Sequence, residues 1–148
     1  MDKEKEINRV GQTRWMIDHS NEYSLDELLK EIKSQKSVPD IILPALGKKN
    51  ISIEVMSQLA GFGRATGYKI INGKMRPETD ILIRIAFILE LTVDEMQQLL
   101  KSGRRSMLTG SDERDVAILY GRKNNLSLGE MDELLIEYGL KPLVPPEK

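Results

Sequence analysis

Side chains that can bind an anion recur along a short predicted helix that begins at Arg64. With about 100° between successive helical residues, Arg64, Tyr68 and Asn72 fall within roughly 80° of one another. Ala65 and Lys69 lie near the edge of the same arc. The opposite side is mostly apolar. One face of this helix is therefore polar and basic.

The positive charge of the chain is concentrated around that helix. Residues 44–77 carry six basic side chains and one acidic one, a net charge of +5, although the whole chain has a net charge of -1. The flanks are acidic, with seven basic against nine acidic residues in 1–43 and nine against thirteen in 78–148. This segregation indicates a local anionic partner. Lys48 and Lys49 close a predicted helix, where the helix dipole alone favours cations.

Other chemistries find little support in the sequence. The chain has no cysteine, which excludes disulfides, thiolate nucleophiles and cysteine zinc sites, and it has no phosphate-binding loop or nucleophile elbow. His19 is the single histidine and lies in a polar stretch, so we expect its side chain to be solvent-exposed. We therefore expect no enzyme, no cofactor and no metal. The chain also lacks an apolar run of about 18 residues and a signal-peptide core, which predicts a cytoplasmic protein with no membrane partner.

The hydrophobic pattern predicts an all-α chain, because apolar residues recur at intervals of three and four and no run alternates with a period of two. Ser24, Thr92 and Ser127 each precede a glutamate by three positions, which is the pattern of a capping box. Pro39 suits the first turn of another helix. The predicted helices are 24–35, 39–48, 53–60, 64–72, 78–90, 93–101, 112–124 and 128–138.

The C-terminal half contains a candidate repeat. LTVDEMQQLL from Leu91 aligns with LSLGEMDELL from Leu126, and the helices that precede them, from Asp80 and Asp115, keep the same offset of 35 residues. This suggests a duplicated helix pair. The alternative is that two capped amphipathic helices with similarly spaced leucines look alike without being related.

Two segments outside the helices carry their own expectations. Trp15, with its two apolar neighbours, is expected to dock on the core rather than to bind a partner. The proline-rich end from Pro142 to Lys148 is expected to form a loose tail.

A helix at 53–60, the turn Gly61-Phe62-Gly63 and a helix from Arg64 form a helix-turn-helix pattern. Together with Ser52 before it and Asn72-Gly73-Lys74 and Pro77 after it, the pattern resembles the Cro/CI-type family of bacterial and phage repressors, also called lambda-repressor-like or XRE. The resemblance covers about residues 38–100. It implies a five-helix, lambda-repressor-like DNA-binding domain within the predicted all-α fold, and the predicted helices on either side add an N-terminal helical extension and a C-terminal helical hairpin. The expected boundaries are 1–36 for the arm and helix, 37–103 for the helix-turn-helix domain, and 104–148 for the hairpin and tail.

The resemblance implies that the helix from Arg64 lies in the DNA major groove while the preceding helix crosses the backbone. Arg64 can hydrogen-bond to guanine O6 and N7, or alternatively contact a phosphate. Ala65 can touch a thymine methyl, Tyr68 a base or a phosphate, and Lys69 a phosphate. Asn72 either contacts DNA or serves only as the helix stop. The implied DNA-binding residues are Ser52, Arg64, Ala65, Tyr68, Lys69, Asn72, Lys74 and Arg76.

Three residues depart from the family pattern. Gly67 stands where a branched apolar residue is common, Ile71 where glutamate is frequent, and Ile53 where a glutamine often supports the DNA contact. We expect Ile71, one turn after Gly67, to cover the volume that the glycine leaves empty. Without the glutamine at position 53, base recognition should be weaker or altered. A domain that no longer binds DNA is therefore a second interpretation.

Two functions therefore follow. The first is a sequence-specific DNA-binding transcriptional regulator whose partner is double-stranded DNA. The alternative is a protein–protein interaction module that keeps the helix-turn-helix fold but has lost specific DNA binding. A homodimer is expected, because Met96, Leu99 and Leu100 resemble the family's dimerising fifth helix, although core packing also explains those side chains. Nothing in the sequence identifies a small-molecule effector.

Overall fold

The computed structural model describes residues 22–33 and 36–146 of the 148-residue chain. Within these ranges the chain forms α-helices and no strand, so the predicted all-α class is confirmed. None of these helices has both the length and the apolar character that a bilayer crossing requires. Trp15 and His19 lie outside the described residues. In chain order the helices are α1 (Leu25–Lys33), α2 (Val38–Lys49), α3 (Ile53–Ala60), α4 (Arg64–Ile71), α5 (Thr79–Ile88), α6 (Val93–Ser102), α7 (Glu113–Lys123) and α8 (Leu128–Glu137).

The chain divides into two compact units, with the boundary between Gln35 and Lys36. Helix α1 belongs to the first unit and begins with the predicted capping box. The N–H of Glu27 donates to Ser24 Oγ, and the N–H of Ser24 donates to Glu27 Oε1, both at 3.2 Å. Helices α2 to α8 belong to the second unit.

Capping side chains also start five of the seven helices of the second unit. The predicted boxes of α6 (Thr92 with Glu95) and α8 (Ser127 with Glu130) are both present. A further box starts α2, where Ser37 pairs with Asp40 and Pro39 lies in the first turn. The two backbone and side-chain hydrogen bonds between Ser37 and Asp40 lower the pKa of the Asp40 carboxyl. The sequence pattern missed this box because the partner is an aspartate rather than a glutamate.

Helix α5 lies at the centre of the second unit. It packs against α3, α6 and α8, and its six consecutive residues from Leu82 to Phe87 are all buried. A helix buried on every side needs cover from several neighbours, which these three helices supply. The run includes Arg84, and burial lowers the pKa of its guanidinium, opposed by the nearby charges of Asp80 and Asp132.

The apolar side chains of α6 belong to the core. Met96, Leu99 and Leu100 are each 0% exposed within the single chain. The alternative explanation of core packing therefore holds for these three residues, which are not available to a second protomer.

The helix pairs α5–α6 and α7–α8 share their backbone geometry. Two residues after the end of each first helix the backbone has a left-handed φ, 53° at Glu90 and 58° at Asn125. The next residue then closes the turn with an N–H···O bond of 2.9 Å, from Leu91 to Ala86 and from Leu126 to Gly121. All these positions keep the offset of 35 residues. The resemblance of the two pairs thus extends from sequence to hydrogen bonding.

A side chain on the second helix of each pair binds the segment that follows it. The N–H of Leu108 donates to Gln97 Oε1 at 2.8 Å, and the N–H of Leu143 donates to Asp132 Oδ1 at 2.6 Å. Asp132 also accepts from the N–H of Val144 at 3.0 Å, and Leu143 is 1% exposed. The expected loose tail from Pro142 is therefore wrong for residues 142–144, because Asp132 and the core fix that segment.

Candidate nucleic-acid interface

Helices α3 and α4 are joined by the turn Gly61-Phe62-Gly63. Ser52 caps α3 by accepting from the N–H of Val55 at 3.1 Å. Gly61 ends α3 with a φ of 87°, a conformation that favours glycine. Gly63 then starts α4 without a side-chain cap. The capping serine and the glycine turn therefore set where α4 begins.

Gly67 on α4 lies directly against side chains of α3. A Cβ atom on Gly67 would lie 2.0 Å from Ser57 Oγ and 3.2 Å from Ile53 Cγ2. Ser57 is fully buried, and its hydroxyl donates to the Ile53 carbonyl at 2.7 Å. The residue at position 67 must therefore lack a side chain. The expectation that Ile71 covers this volume is wrong, since side chains of α3 occupy it.

The remaining residues of α4 divide into a buried and an exposed side. Ile70 is 2% exposed, whereas all five side chains predicted to face a partner are exposed. Tyr68 is 40% exposed despite its size. The structure thus gathers five of the eight predicted residues on one face of α4: Arg64, Ala65, Tyr68, Lys69 and Asn72.

Glu54 on α3 contacts two residues of that face. One of its carboxylate oxygens lies 3.7 Å from Arg64 Nη1, and the other accepts from the Tyr68 hydroxyl at 3.4 Å. Glu54 also lines, with Arg64 and the turn Gly61-Phe62-Gly63, an open depression between the two helices. An acidic side chain therefore stands beside the basic start of α4.

The end of α4 is formed by the backbone. Asn72 has a φ of -84°, so the left-handed conformation falls on Gly73, with a φ of 74°. The N–H of Gly73 donates to the Ile70 carbonyl at 3.3 Å, and that of Lys74 to the Lys69 carbonyl at 2.9 Å. These two bonds satisfy the last carbonyls of the helix. The exposed Asn72 side chain is accordingly not required for the helix stop.

Arg76 is exposed but is hydrogen-bonded to the segment at the end of α6. Its Nε donates to the Gly103 carbonyl at 3.2 Å, and its Nη2 donates to the Arg104 carbonyl. These bonds connect the loop after α4 to the end of α6. Lys74 is exposed as well. Of the two loop cations that the sequence treats alike, Arg76 is thus the one whose guanidinium is bound to backbone carbonyls of the same chain.

The other two basic residues of the positively charged segment lie at the end of α2. Lys48 and Lys49 lie in the last turn of α2, and Lys49 forms an ion pair with Glu90. Within the described part of the chain, no group of three or more side chains has the composition of a metal site.

The segment that contains this face matches a known family. Residues 44–101 match the model of the Cro/C1-type HTH DNA-binding domain. This segment is a Cro/C1-type helix-turn-helix domain. Neither a curated protein nor a solved structure gives a significant match to the chain. The resemblance inferred from the sequence over about residues 38–100 is confirmed from residue 44 onward.

The Cro/C1-type domain includes the site but not the whole second unit. The match begins at Pro44 within α2 and ends at Lys101 within α6. Helices α7 and α8 lie outside it, although α8 packs against α5 and α7 packs against α6. The hairpin formed by α7 and α8 therefore packs against two helices of this domain.

Sequence reasoning missed three features of the site. The position of Glu54 in the first turn of α3 gives no pattern that distinguishes it from other acidic residues in a first turn. The bonds of Arg76 to the end of α6 join residues 27 and 28 positions apart, which no local pattern reveals. Ser57 did carry a signal, because a serine among the inward positions of α3 leaves room that a larger residue would fill.

Proposed function

We propose that the chain is a sequence-specific DNA-binding transcriptional regulator in which α4 enters the major groove. The observation that supports this function is the division of α4, whose polar and basic side chains are exposed while Gly67 and Ile70 pack inward. The net charge of +5 over residues 44–77 attracts phosphates to the same segment. In the Cro/C1 type of motif, the second helix reads base edges in the major groove.

The proposed roles follow from the position of each residue. Arg64, at the start of α4, hydrogen-bonds to a guanine, and Tyr68 lies one turn further along the groove. Ala65 faces a thymine methyl, Asn72 lies at the far end of the same face, and Lys69 contacts a phosphate. Ser52 lies at the N terminus of α3, where backbone N–H groups attract a phosphate. In the loop, Lys74 contacts the backbone, whereas the proposed phosphate role of Arg76 competes with its bonds to Gly103 and Arg104.

Selection from a pool of random duplexes at about 150 mM salt, followed by sequencing of the retained fraction, tests the proposal. We expect an enriched motif. Arg64→Ala should relax preference at one base position and cost about 1 to 3 kcal/mol on the preferred site. Lys74→Ala should weaken binding to all sequences alike and make the slope of log affinity against log salt shallower by about 0.9. A retained pool without any motif would overturn the proposal.

The competing function is a protein–protein interaction module. Val55 and Leu59 lie one turn apart on α3 and are 40% and 55% exposed, which suits a protein partner. Ile53 replaces the glutamine that often supports DNA contact in this type of motif. This function predicts weak, sequence-blind DNA binding in which Arg64→Ala and Lys74→Ala have the same effect. The selection experiment therefore distinguishes the two functions.

We also propose that the chain acts as a homodimer, with α7 rather than α6 at the interface. Val116 and Tyr120 lie one turn apart on α7 and are 45% and 58% exposed. Glu113 and Lys123 flank them and are exposed too. In an antiparallel pairing of two α7 helices, Val116 meets the partner's Tyr120 and Glu113 meets the partner's Lys123. This exposed face of α7 is thus complementary to the same face of a second copy, as a two-fold interface requires.

Sedimentation at high micromolar concentration, with and without DNA, tests the dimer. We expect a species of twice 16.8 kDa that Tyr120→Arg converts to a monomer, because the substitution places two like charges near each other across the two-fold axis. Ile136→Arg is the matched control, since Ile136 is 62% exposed on α8. A wild-type chain that sediments only as the monomer would contradict the proposal, and so would a dimer that Tyr120→Arg leaves intact.

A further inference from the structure

Glu54 is the one acidic residue between positions 44 and 77, and it lies against the proposed DNA-reading residues. Its two carboxylate oxygens face different partners, Arg64 Nη1 at 3.7 Å and the Tyr68 hydroxyl at 3.4 Å. Arg64 and Tyr68 are one helical turn apart on α4. A single carboxylate on α3 therefore contacts two residues in the first turn and a half of α4, the helix proposed to face DNA.

We propose that Glu54 is a positioning residue that increases the base selectivity of Arg64 while lowering the affinity of the chain for DNA of any sequence. The inference rests on the proposed function. It makes Glu54 the group that determines how strictly one base is read, although Glu54 itself contacts no base.

The selectivity follows from the orientation of the arginine. The Arg64 side chain is 70% exposed, so without a partner it has many rotamers, and only some of them direct its planar fork toward a guanine. A carboxylate beside Nη1 restricts the fork, and the Tyr68 hydroxyl holds the other oxygen of that carboxylate. The contact is weak in water because both partners are exposed. It strengthens when DNA displaces water from the depression between α3 and α4.

The lower affinity follows from the sign of the charge. The Glu54 side chain is 53% exposed at the motif surface, so it remains near phosphates when α4 is in the groove. A carboxylate there repels the backbone of every duplex and offsets the charge of Arg64. The same side chain therefore acts in opposite directions on selectivity and on affinity.

The position of Glu54 also has a purely structural explanation. An acidic residue in the first turn of α3 is favoured by the helix dipole. That explanation affects only the stability of α3 and predicts no change in base preference. Ser52, and not Glu54, provides the side-chain cap of this helix. The two explanations therefore differ in a measurable way.

Glu54→Gln keeps the size of the side chain and removes its charge. Asp94→Asn is the matched control, because Asp94 is an exposed carboxylate in the first turn of α6. After random-duplex selection with the wild-type chain, affinities are measured for the selected duplex, for duplexes changed at single base pairs and for an unrelated duplex. We expect Glu54→Gln to bind the unrelated duplex about two- to fivefold more tightly. At the position that Arg64 reads, we expect its discrimination to fall by about five- to tenfold. Asp94→Asn should change neither.

A double-mutant cycle shows whether Glu54 acts through Arg64. In an Arg64→Ala background, Glu54→Gln should leave discrimination at that base pair unchanged. If Glu54→Gln in the wild-type background reproduces the wild-type motif with equal discrimination, this inference alone is overturned. If Glu54→Gln lowers discrimination equally in both backgrounds, Glu54 reads the base by itself and the inference is again wrong. A wild-type chain that enriches no motif overturns the proposed function and this inference with it.

Discussion

Helices α5 and α7 occupy equivalent positions in the two helix pairs, but their surroundings differ. Ile85 on α5 is fully buried, whereas Tyr120, which stands 35 residues later, is 58% exposed. The hydrogen bonds that close the left-handed turns of the two pairs are nevertheless both 2.9 Å long. Local signals thus determine the shape of a helix pair, and the neighbours of the pair determine which of its faces is buried.

The largest expected effect comes from the equivalent core leucines. Leu100→Ala in the first pair and Leu135→Ala in the second should each cost about 2 to 5 kcal/mol, because both side chains are fully buried. We expect one cooperative transition for each variant in chemical denaturation followed by far-UV circular dichroism. If the Leu135→Ala chain unfolds in two steps and the midpoint of the second step is unchanged, the pair α7–α8 is a separate folding unit.

Filling the space between helices should produce the next effect. Gly121 is the counterpart of Ala86, and a Cβ there would lie 2.1 Å from Met131 Sδ. Gly67→Ala meets Ser57 Oγ at 2.0 Å instead. Because Met131 is flexible while Ser57 is held by its bond to Ile53, we expect Gly67→Ala to cost about 1 to 3 kcal/mol and Gly121→Ala less.

Thermal melts of the two alanine variants measure this difference. Adding Ser57→Gly to Gly67→Ala should recover part of the loss, whereas adding Ile71→Ala should not. Equal destabilisation at positions 67 and 121 would show that Met131 is as rigid in its site as Ser57.

Arg114 joins the second pair to the first. It binds Asp80 through two hydrogen bonds of 3.0 and 2.9 Å and also donates to the Lys141 carbonyl at 2.8 Å. Arg114→Ala should cost about 1 to 2 kcal/mol, because it leaves Asp80 without these donors. Denaturant titration measures the loss, and limited proteolysis should show faster cleavage near residue 141. Unchanged proteolysis would mean that Asp132 alone holds this segment.

The smallest expected effect concerns the side chains that bind the segment after each pair. Asp132→Asn should cost about 1 kcal/mol, since one of the two acceptor oxygens becomes a donor that faces an N–H group. Gln97→Glu is the reciprocal change, and it should lose the bond from Gln97 Nε2 to the Leu108 carbonyl. Denaturation midpoints compare the two. A larger loss for Gln97→Glu would indicate that the first pair depends more on its bound segment.

The sequence predicted the features whose causes lie within a few residues. The capping boxes at Ser24, Thr92 and Ser127 and the glycine turn at Gly61 all depend on contacts to neighbours in the chain, so a local pattern is enough. The reason for Gly67 depends on how closely two helices approach, and the surroundings of Arg76 depend on a loop far away in sequence. Such contacts arise only after packing. That is why the face of α4 was predictable whereas Glu54 beside it was not.

The left-handed residue after each second helix has a consequence for protein engineering. Arg104 has a φ of 61°, and Gly139, 35 residues later, has a φ of 70°. A side chain with a Cβ atom is disfavoured in this conformation, whereas glycine adopts it freely. The chain therefore contains its own consensus for this turn, in the sense in which aligned homologues supply one. By that internal comparison, Arg104→Gly should remove the conformational cost of a left-handed φ after α6. The substitution keeps the backbone carbonyl to which Arg76 donates.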